Sequence, residues 1–466
     1  MTLKKIRAFF TPDHVAIFVS LLFSLAGSLI SLHQFWQYSV FFYDFGIFDM
    51  AIWRVAHFQA PIIEHFIHGG QWILGDHFNP TIFLLSPLYW ITDRSEIILI
   101  AQACLFGLAG FILYLIGNKV TKNGWYSLTV LSCFFLFVGV QNAIITDFHE
   151  VSLSVIFFLL TFYAFLTKKK IWFWTFFFLF LGTKESNFAV GSALGLTLFL
   201  LDRKSYKRSF VVILSAIIYG LLVTKFAIPF FSQNSYSYGV PISYNPFVYI
   251  EALFNNPQKI HTLFYSFASF GFLPLLSPVF YFLMLTEFLS RFYPPFLTIS
   301  WSMAFHYSGV TAAILGLSSM YAYLVIKKII QSRKVFIILC IAIFLNAVFL
   351  YRFVLRGPFG LFYNSAFYEH SKDFEFLNKP MKLIPPSASV ATHNNLAVRF
   401  THQNIHLLRS GEIPNTDYVI IDARDGQNPN NFYGVSNIQN TLNLMLQEKK
   451  YKIIYHEGDQ YVFKRK

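Results

Sequence analysis

Two carboxylates, Asp44 and Asp49, lie five residues apart among aromatic residues, directly after the first long apolar run of the chain. A charged group beside hydrocarbon is costly, so a carboxylate kept there is a candidate for function. One of them can act as general base on an acceptor hydroxyl, or both can hold a divalent cation. The alternative is that Asp44 caps the segment 47–57 and that Asp49 is a solvated residue on its face.

A second group of chemically capable residues surrounds Asp76 and His77, a few residues before Pro80. A carboxylate beside an imidazole can bind a metal or a phosphate. The same residues can instead form a capped helix start with proline in its first turn. His65 and His68 are nearby, but their spacing in a loop-like stretch is weak evidence for a metal site.

A third group is Asp147-Phe148-His149-Glu150, which opens an apolar run. Carboxylates on both sides of His149 favour its cationic form, which suits the phosphate head of a lipid. Alternatively, Asp147 and Glu150 interact with the dipole of a helix N-terminus.

Lys184-Glu185 interrupts the apolar stretch 171–201. We expect the two side chains to be desolvated and paired with each other. Either they form a structural ion pair, or Lys184 faces a lipid phosphate and Glu185 orients it.

The last candidates are Glu287, Arg291 and His306. Glu287 and Arg291 are one helical turn apart and can pair within a helix, or Arg291 can hold a phosphate through two hydrogen bonds. His306 can add a donor, although a lone histidine in a membrane segment is more often a packing residue.

The composition indicates that membrane helices position these residues. Of the 466 residues, 55% are hydrophobic and only 13% are charged, whereas a soluble domain has about 25% charged residues. The sequence therefore predicts an all-α polytopic membrane domain over residues 1–355. Predicted spans lie at 14–35, 95–117, 124–145, 150–167, 209–231, 300–326 and 335–355.

Three apolar stretches, 78–92, 171–201 and 262–290, are interrupted by proline or charge, which predicts broken or re-entrant helices. The basic residues form short clusters between apolar runs, which is typical of cytoplasmic loops and argues against nucleic-acid binding. With all clusters on one side, the N-terminus is cytoplasmic, and the first loop, 36–94, and the candidate residues are extracytoplasmic. The first of these clusters comprises Lys4, Lys5 and Arg7.

Residues 356–466 are more polar and predict a small extracytoplasmic α/β domain. Strand-like runs lie at 389–392 and 418–422, a helix at 438–449, and a hairpin at 451–464. No glycine-rich phosphate loop precedes a helix here, so we do not expect a nucleotide site.

An ordered series of motifs resembles the bacterial predicted membrane proteins grouped as domain of unknown function 2079. The resemblance covers nearly the whole chain. The matching motifs are Tyr43-Asp44-Phe45-Gly46-Ile47-Phe48-Asp49-Met50-Ala51-Ile52-Trp53, Gly75-Asp76-His77-Phe78-Asn79-Pro80 with Ser86-Pro87-Leu88-Tyr89, Asp147-Phe148-His149-Glu150, Thr183-Lys184-Glu185, Phe272-Leu273-Pro274-Leu275 and Pro385-Pro386-Ser387-Ala388-Ser389-Val390.

That family resembles the GT-C superfamily of membrane glycosyltransferases, which implies a GT-C-like helical bundle, membrane lipids as partners and a polyprenyl-phosphate-linked sugar donor. The resemblance places Asp44 where those enzymes carry the acidic residue of the first extracytoplasmic loop. One departure is Met50, where the family commonly has glutamine. The implied location is the bacterial inner membrane.

Two other functions remain open from the sequence. Broken helices and charges within the membrane also fit a transporter or lipid flippase. The polar C-terminal segment also fits a non-catalytic envelope assembly protein that binds a partner through this domain.

Overall fold

A computed structural model describes residues 11–65, 69–295, 298–424, 434–435 and 437–466. Lys4, Lys5 and Arg7 of the first basic cluster, and also His68, lie outside these residues. The chain divides into two compact units. The helical unit comprises Met1–Leu29, Leu74–Ile82 and Ile100–Phe362, and the sheet unit comprises Ile30–Ile73, Phe83–Leu99 and Tyr363–Lys466.

Helices account for most of the described chain. Those in the first half are α1 Pro12–Trp36, α2 Ile47–Ala56, α3 Ile73–Asp76, α4 Glu96–Thr121, α5 Gly124–Leu136, α6 Val138–Ile145, α7 Val151–Leu166, α8 Lys170–Leu181, α9 Asn187–Leu201, α10 Tyr206–Leu222 and α11 Ile228–Ser232. Those in the second half are α12 Pro246–Phe254, α13 Pro257–Ser269, α14 Tyr281–Phe292, α15 Gly309–Ile329, α16 Arg333–Phe349, α17 Ser365–Glu369, α18 Asn378–Met381, α19 Asn394–Ala397 and α20 Ile438–Gln447.

Several of these helices are long and apolar enough to cross a membrane, which confirms the prediction of a polytopic protein. Within the described residues five helical segments meet this criterion, and α5 and α6 make a sixth if they are one span bent by 48°. The shorter apolar helices α7, α8 and α9 supply further hydrophobic surface. The five segments are Pro12–Trp36, Glu96–Thr121, Arg203–Ser232, His306–Ile329 and Arg333–Val354.

The predicted interruptions are present as breaks between helices. The stretch 171–201 forms α8 and α9, with residues 182–186 between them at the position of the charged pair. The stretch 262–290 is broken between α13 and α14 by two short 3₁₀ turns that begin near Pro274 and Pro278. Proline lacks the amide hydrogen that a continuing α-helix needs, which explains the second break. The stretch 78–92 forms a 3₁₀ helix, Pro80–Trp90.

The sheet unit contains a five-stranded mixed sheet in the order β4-β3-β5-β7-β6. The three strands β4, β3 and β5 are parallel, whereas β7 is antiparallel to both β5 and β6. The predicted hairpin, helix and two strands are confirmed, but β4 was not predicted. The strands are β3 Val390–Thr392, β4 Ile405–Leu407, β5 Tyr418–Asp422, β6 Tyr451–Glu457 and β7 Gln460–Arg465, and a separate two-stranded ribbon comprises β1 Ile62–Ile63 and β2 Gln71–Trp72.

The core of this sheet is formed by its central strands and α20. Val419, Ile421 and Phe463 from β5 and β7 pack with Leu442 and Met445 of the helix. The apolar residues of α20 recur at helical spacing, so one face of the helix covers the sheet. This core holds β5 and β7 against α20.

Candidate functional site

Lys184 in the helical unit pairs with a residue from another helix, not with its neighbour in sequence. Its Nζ atom lies 2.8 Å from Oε1 of Glu150, and the side chains are 24% and 4% exposed. The expected pairing of Lys184 with Glu185 is therefore wrong. Residues 182–186 form a tight turn between α8 and α9, in which the two side chains reach different partners.

Glu185 instead pairs with His77, which directly follows α3 in the sequence. Nδ1 of His77 lies 2.8 Å from Oε1 of Glu185, and the amide of Phe78 donates to Oε2 at 3.2 Å. The hydroxyl of Tyr236 donates to Oε1 at 3.0 Å. A buried carboxylate with an imidazole and two further donors around it is well satisfied, so its position is fixed.

Asp76 completes this group of residues. Tyr238 donates a hydrogen bond of 3.0 Å to Oδ1 of Asp76, and its ring stacks on His77 with the ring centres 4.6 Å apart. A 3₁₀ helix does begin at Pro80, as the capping alternative expects. The polar side chains of Asp76 and His77, however, contact Tyr238 and Glu185.

The His77–Glu185 pair predicts a pH dependence of stability. Burial lowers the pKa of the His77 imidazole, but the Glu185 carboxylate outweighs this, so the pKa lies above its usual value. The folded protein therefore binds this proton more tightly than the unfolded chain does. The resulting stabilisation is complete below the unfolded pKa of about 6.5 and is lost as the pH rises through the folded pKa.

Thermal unfolding of the solubilised protein between pH 6 and pH 9 measures this effect. We expect the wild-type protein to lose more stability over this range than the variant His77→Gln does. The control His261→Gln replaces an exposed histidine of the same unit and should follow the wild-type curve. Parallel curves for the wild type and His77→Gln would contradict the assignment.

His149 lies in the turn before α7 and stacks on His306. The ring centres are 3.6 Å apart, and Nδ1 of His149 lies 2.9 Å from the carbonyl oxygen of Thr146. Nδ1 of His306 is buried and has no hydrogen-bond partner among the described residues. The turn itself is unusual, since Asp147 has a positive φ of 50°, a conformation uncommon for residues other than glycine.

The charge of Glu150 lies at the N-terminus of α7, as the helix-dipole alternative expects, and it also pairs with Lys184. Glu150 is the N-cap residue of α7, but its side chain makes no capping hydrogen bond. Its carboxylate contacts Lys184 instead. Asp147 is buried, and its carbonyl oxygen accepts a hydrogen bond of 2.6 Å from Gln102.

Glu287 and Arg291 on α14 are connected through Thr311. The Thr311 hydroxyl donates to Oε1 of Glu287 at 2.8 Å and accepts from Nη1 of Arg291 at 2.9 Å. The remaining guanidinium nitrogens of Arg291 donate to the carbonyl oxygens of Ser300 and Ser302. Arg291 thus uses all three of its nitrogens to hold the chain after α14, a structural role and not that of a phosphate clamp.

In the sheet unit, Asp49 is completely buried at the start of α2. Tyr89 and Thr401 both donate to its carboxylate, and Nε2 of His402 lies 3.2 Å from Oδ2. His402 in turn stacks on Trp53, with the ring centres 4.9 Å apart. Asp49 is therefore the acceptor at the centre of a polar network, not a solvated residue on a helix face.

Asp44 has a different environment, in a short π-helical turn, Phe42–Gly46, that leads into α2. It is half-buried, and neither Phe41 nor Gly46 at the two N-cap positions makes a side-chain capping bond. Asp44 lies inside the helical turn, so the capping alternative does not describe it. Single π-helical turns are frequent at functional sites.

The comparison with protein families agrees with the motifs. A family model described as a predicted membrane protein, DUF2079, matches residues 13–462. The chain belongs to this family. No curated protein matches the chain.

The candidate residues of this DUF2079 protein thus fall into two sets, one in each unit. In the helical unit the structure brings together Lys184 with Glu150, Glu185 with His77, and His149 with His306. Asp44 and Asp49 belong to the sheet unit. Among the described residues, no three histidine, cysteine or acidic side chains are grouped so that they can hold a metal ion.

Sequence reasoning missed several residues that complete these networks in the DUF2079 chain. Tyr236 and Tyr238 come from the stretch Asn234-Ser235-Tyr236-Ser237-Tyr238, whose mix of polar and aromatic residues was a usable signal. His402 offered no such signal, and Tyr89 belongs to a family motif that gave no indication of a contact with Asp49. They reach Asp49 only because the fold joins segments that are 353 and 40 positions away in the sequence.

Proposed function

We propose that this protein is a membrane glycosyltransferase with a GT-C-like bundle. It would move a sugar from a polyprenyl-phosphate-linked donor to a glycan, lipid or protein on the outer face of the bacterial inner membrane. The observation that carries the proposal is the partly exposed Lys184, held by the buried carboxylate of Glu150 at the break between two apolar helices.

Lys184 suits the phosphate of such a donor. An ammonium group has three N–H donors, and Glu150 accepts from Nζ of Lys184 at a distance of 2.8 Å. Because a quarter of the Lys184 side chain is exposed, a phosphate oxygen can be bound by the same ammonium group. The carboxylate of Glu150 favours the charged lysine and fixes its direction.

The surroundings of Lys184 suit the hydrocarbon part of the donor. Helices α8 and α9 flank the charged turn and are predominantly apolar, and α7 has Glu150 at its N-terminus. A ligand with an anionic head and a long apolar tail matches a charged turn between such helices. A free sugar nucleotide, which has no apolar tail, would gain nothing from them.

The proposed reaction is a direct displacement at the anomeric carbon. Asp44 takes the proton of the acceptor hydroxyl, the acceptor oxygen bonds to the anomeric carbon, and the bond to the phosphate oxygen breaks. Polyprenyl phosphate leaves with the electron pair of that bond. Positioning and charge stabilisation supply most of the rate in reactions of this kind.

The other candidates would position the phosphate site. Glu185, the neighbour of Lys184 in the sequence, is hydrogen-bonded to His77, and Asp76 joins this group through Tyr238, whose ring stacks on His77. His149 lies beside Glu150 in the sequence. His306 would add its buried Nδ1, which has no partner among the described residues. Glu287 and Arg291 are left out of the phosphate site because their polar groups hold the local fold.

Binding of polyprenyl phosphate tests the proposed phosphate site directly, since every such donor releases polyprenyl phosphate as a product. We expect it to raise the melting temperature of the protein in nanodiscs, whereas uncharged polyprenol should have a much smaller effect. The double variant Lys184→Met/Glu150→Gln removes both charges together and should lose the shift. The control Lys169→Gln, at an exposed lysine between α7 and α8, should keep it. Equal shifts in all three proteins would contradict the phosphate site.

A lipid flippase is the second candidate, because the 48° bend between α5 and α6 and the break between α8 and α9 also fit a transporter. The two functions differ in their products. Transfer converts the lipid-linked sugar into polyprenyl phosphate and a longer acceptor, whereas a flippase leaves the lipid-linked sugar intact. Mass spectrometry of glycans and lipid-linked sugars in a deletion strain distinguishes them, since only loss of a glycan linkage with the donor accumulating on the outer face supports transfer.

A further inference from the structure

The sheet unit contains a polar cavity of about 220 Å³. Its walls come from the start of α4 and from the turn between α19 and β4, with Phe35 of α1 at one side. The polar side chains that line it and bear on its chemistry are Asp93, Arg94, Glu96, Arg399, His402 and Gln403.

Two hydrogen-bond donors in this wall have no acceptor in the part of the chain that the structure describes. Nε of Arg399 and Nε2 of Gln403 are buried and have no partner among the described residues. Arg399 cannot easily turn to find one, since its Nη2 donates to the carbonyl oxygen of Phe35 at 2.8 Å and its guanidinium lies 3.8 Å from the centre of the Phe35 ring. Buried donors are costly when unsatisfied, so a small movement of these side chains that brings the donors to the acceptor oxygens of a ligand or water is favourable.

The same wall also contains hydrogen-bond acceptors. Asp93 is largely exposed, and its Oδ1 accepts from the indole nitrogen of Trp53 and lies 3.7 Å from Nδ1 of His402. Glu96 accepts from Arg94 at 2.7 Å and from Trp36 at 3.3 Å. The carboxylates are thus held by hydrogen bonds from neighbouring side chains at the edge of the cavity.

The charges of the wall nearly cancel, because the carboxylates of Asp93 and Glu96 are matched by the guanidinium groups of Arg94 and Arg399. An anion would meet two carboxylates, and a cation would meet two guanidinium groups. A neutral ligand whose hydroxyl groups both donate and accept hydrogen bonds satisfies the orphan donors and the carboxylates together. The volume of 220 Å³ is below the range of about 300–1,000 Å³ for drug-sized ligands, so the ligand is small.

We propose that this cavity binds a single neutral sugar residue, with Gln403 and Arg399 donating to its oxygens and Asp93 accepting from its hydroxyls. The proposal goes beyond sugar transfer and does not depend on it, since the site lies entirely in the sheet unit and uses none of the residues assigned to the reaction. It gives the sheet unit a carbohydrate-recognition role of its own.

Ligand-observed saturation-transfer NMR on the full-length protein tests the proposal. Lipid nanodiscs are required, because maltoside detergents carry sugars that would compete. The probes are glucose, galactose, mannose and N-acetylglucosamine, with glucuronate and inorganic phosphate as anions. We expect at least one neutral sugar to bind and the variant Gln403→Met to weaken this binding at least tenfold.

The variants separate binding from folding. Gln403→Met removes a buried Nε2 donor that lacks a partner among the described residues, so its melting temperature should not fall. Asp93→Asn changes an exposed side chain and should also weaken sugar binding, whereas Gln447→Met, at an exposed position on α20, should leave it unchanged. Binding of none of the four sugars would overturn the proposal and leave water as the occupant. Preference for the anions, or full binding by Gln403→Met, would also overturn it.

Discussion

Replacing Asp44 by asparagine is expected to reduce sugar transfer about 10²- to 10⁴-fold, the usual contribution of a general base. Asparagine has nearly the same shape as aspartate but cannot take the acceptor's proton. Asp44 is half-buried and the substitution is nearly isosteric, so the variant should fold and insert normally. The readout is mass spectrometry of the affected glycan in a deletion strain that carries the variant.

Asp49→Asn is the matched control, since it makes the same chemical change five residues away in a different environment. The buried carboxylate of Asp49 accepts from Tyr89, Thr401 and His402. The amide can replace only one carboxylate oxygen, and each hydrogen bond to a charged group that is lost costs about 1.5–3 kcal/mol. This variant should therefore melt at a lower temperature. If the variant Asp44→Asn transferred sugar as well as the wild type at equal protein levels, Asp44 would not be the general base.

The helices of the helical unit were largely predictable because hydrophobic length and proline act locally along the chain. The spans α1, α4 and α16 follow directly from apolar runs of sufficient length. The breaks at Lys184-Glu185 and near Pro274 follow from the cost of charge in hydrocarbon and from the missing proline amide. The strand β4 escaped prediction because it has only three residues, too few to show an alternating pattern.

The partners within the candidate sites were much harder to predict than the residues themselves. The sequence shows that Lys184 and Glu185 need counter-charges. Because the two residues are adjacent, the simplest expectation is that they pair with each other. A tight turn directs them to Glu150 and His77, which come from α7 and from the segment after α3. Such pairings depend on tertiary contacts between distant segments, and a single sequence carries no record of them.

Breaking the ion pair between Lys184 and Glu150 should have a large effect on the stability of the protein. Lys184→Met leaves the carboxylate of Glu150 buried without its cation, and breaking a buried pair from one side costs about 3–5 kcal/mol. Glu150→Gln leaves the ammonium group of Lys184 without its anion and should be destabilising for the same reason. The double variant Lys184→Met/Glu150→Gln leaves no unpaired charge, so it should recover most of the lost stability.

Unfolding of the four proteins in the same lipid nanodiscs gives the coupling energy of the pair through a double-mutant cycle. Stability and activity should separate in the double variant, because it regains stability but has no ammonium group for the leaving phosphate. Transfer should therefore stay lost in a protein that folds nearly as well as the wild type. A double variant as unstable as Lys184→Met would show that the pair is not what stabilises this turn. A stable double variant with normal transfer would show that Lys184 does not bind the phosphate.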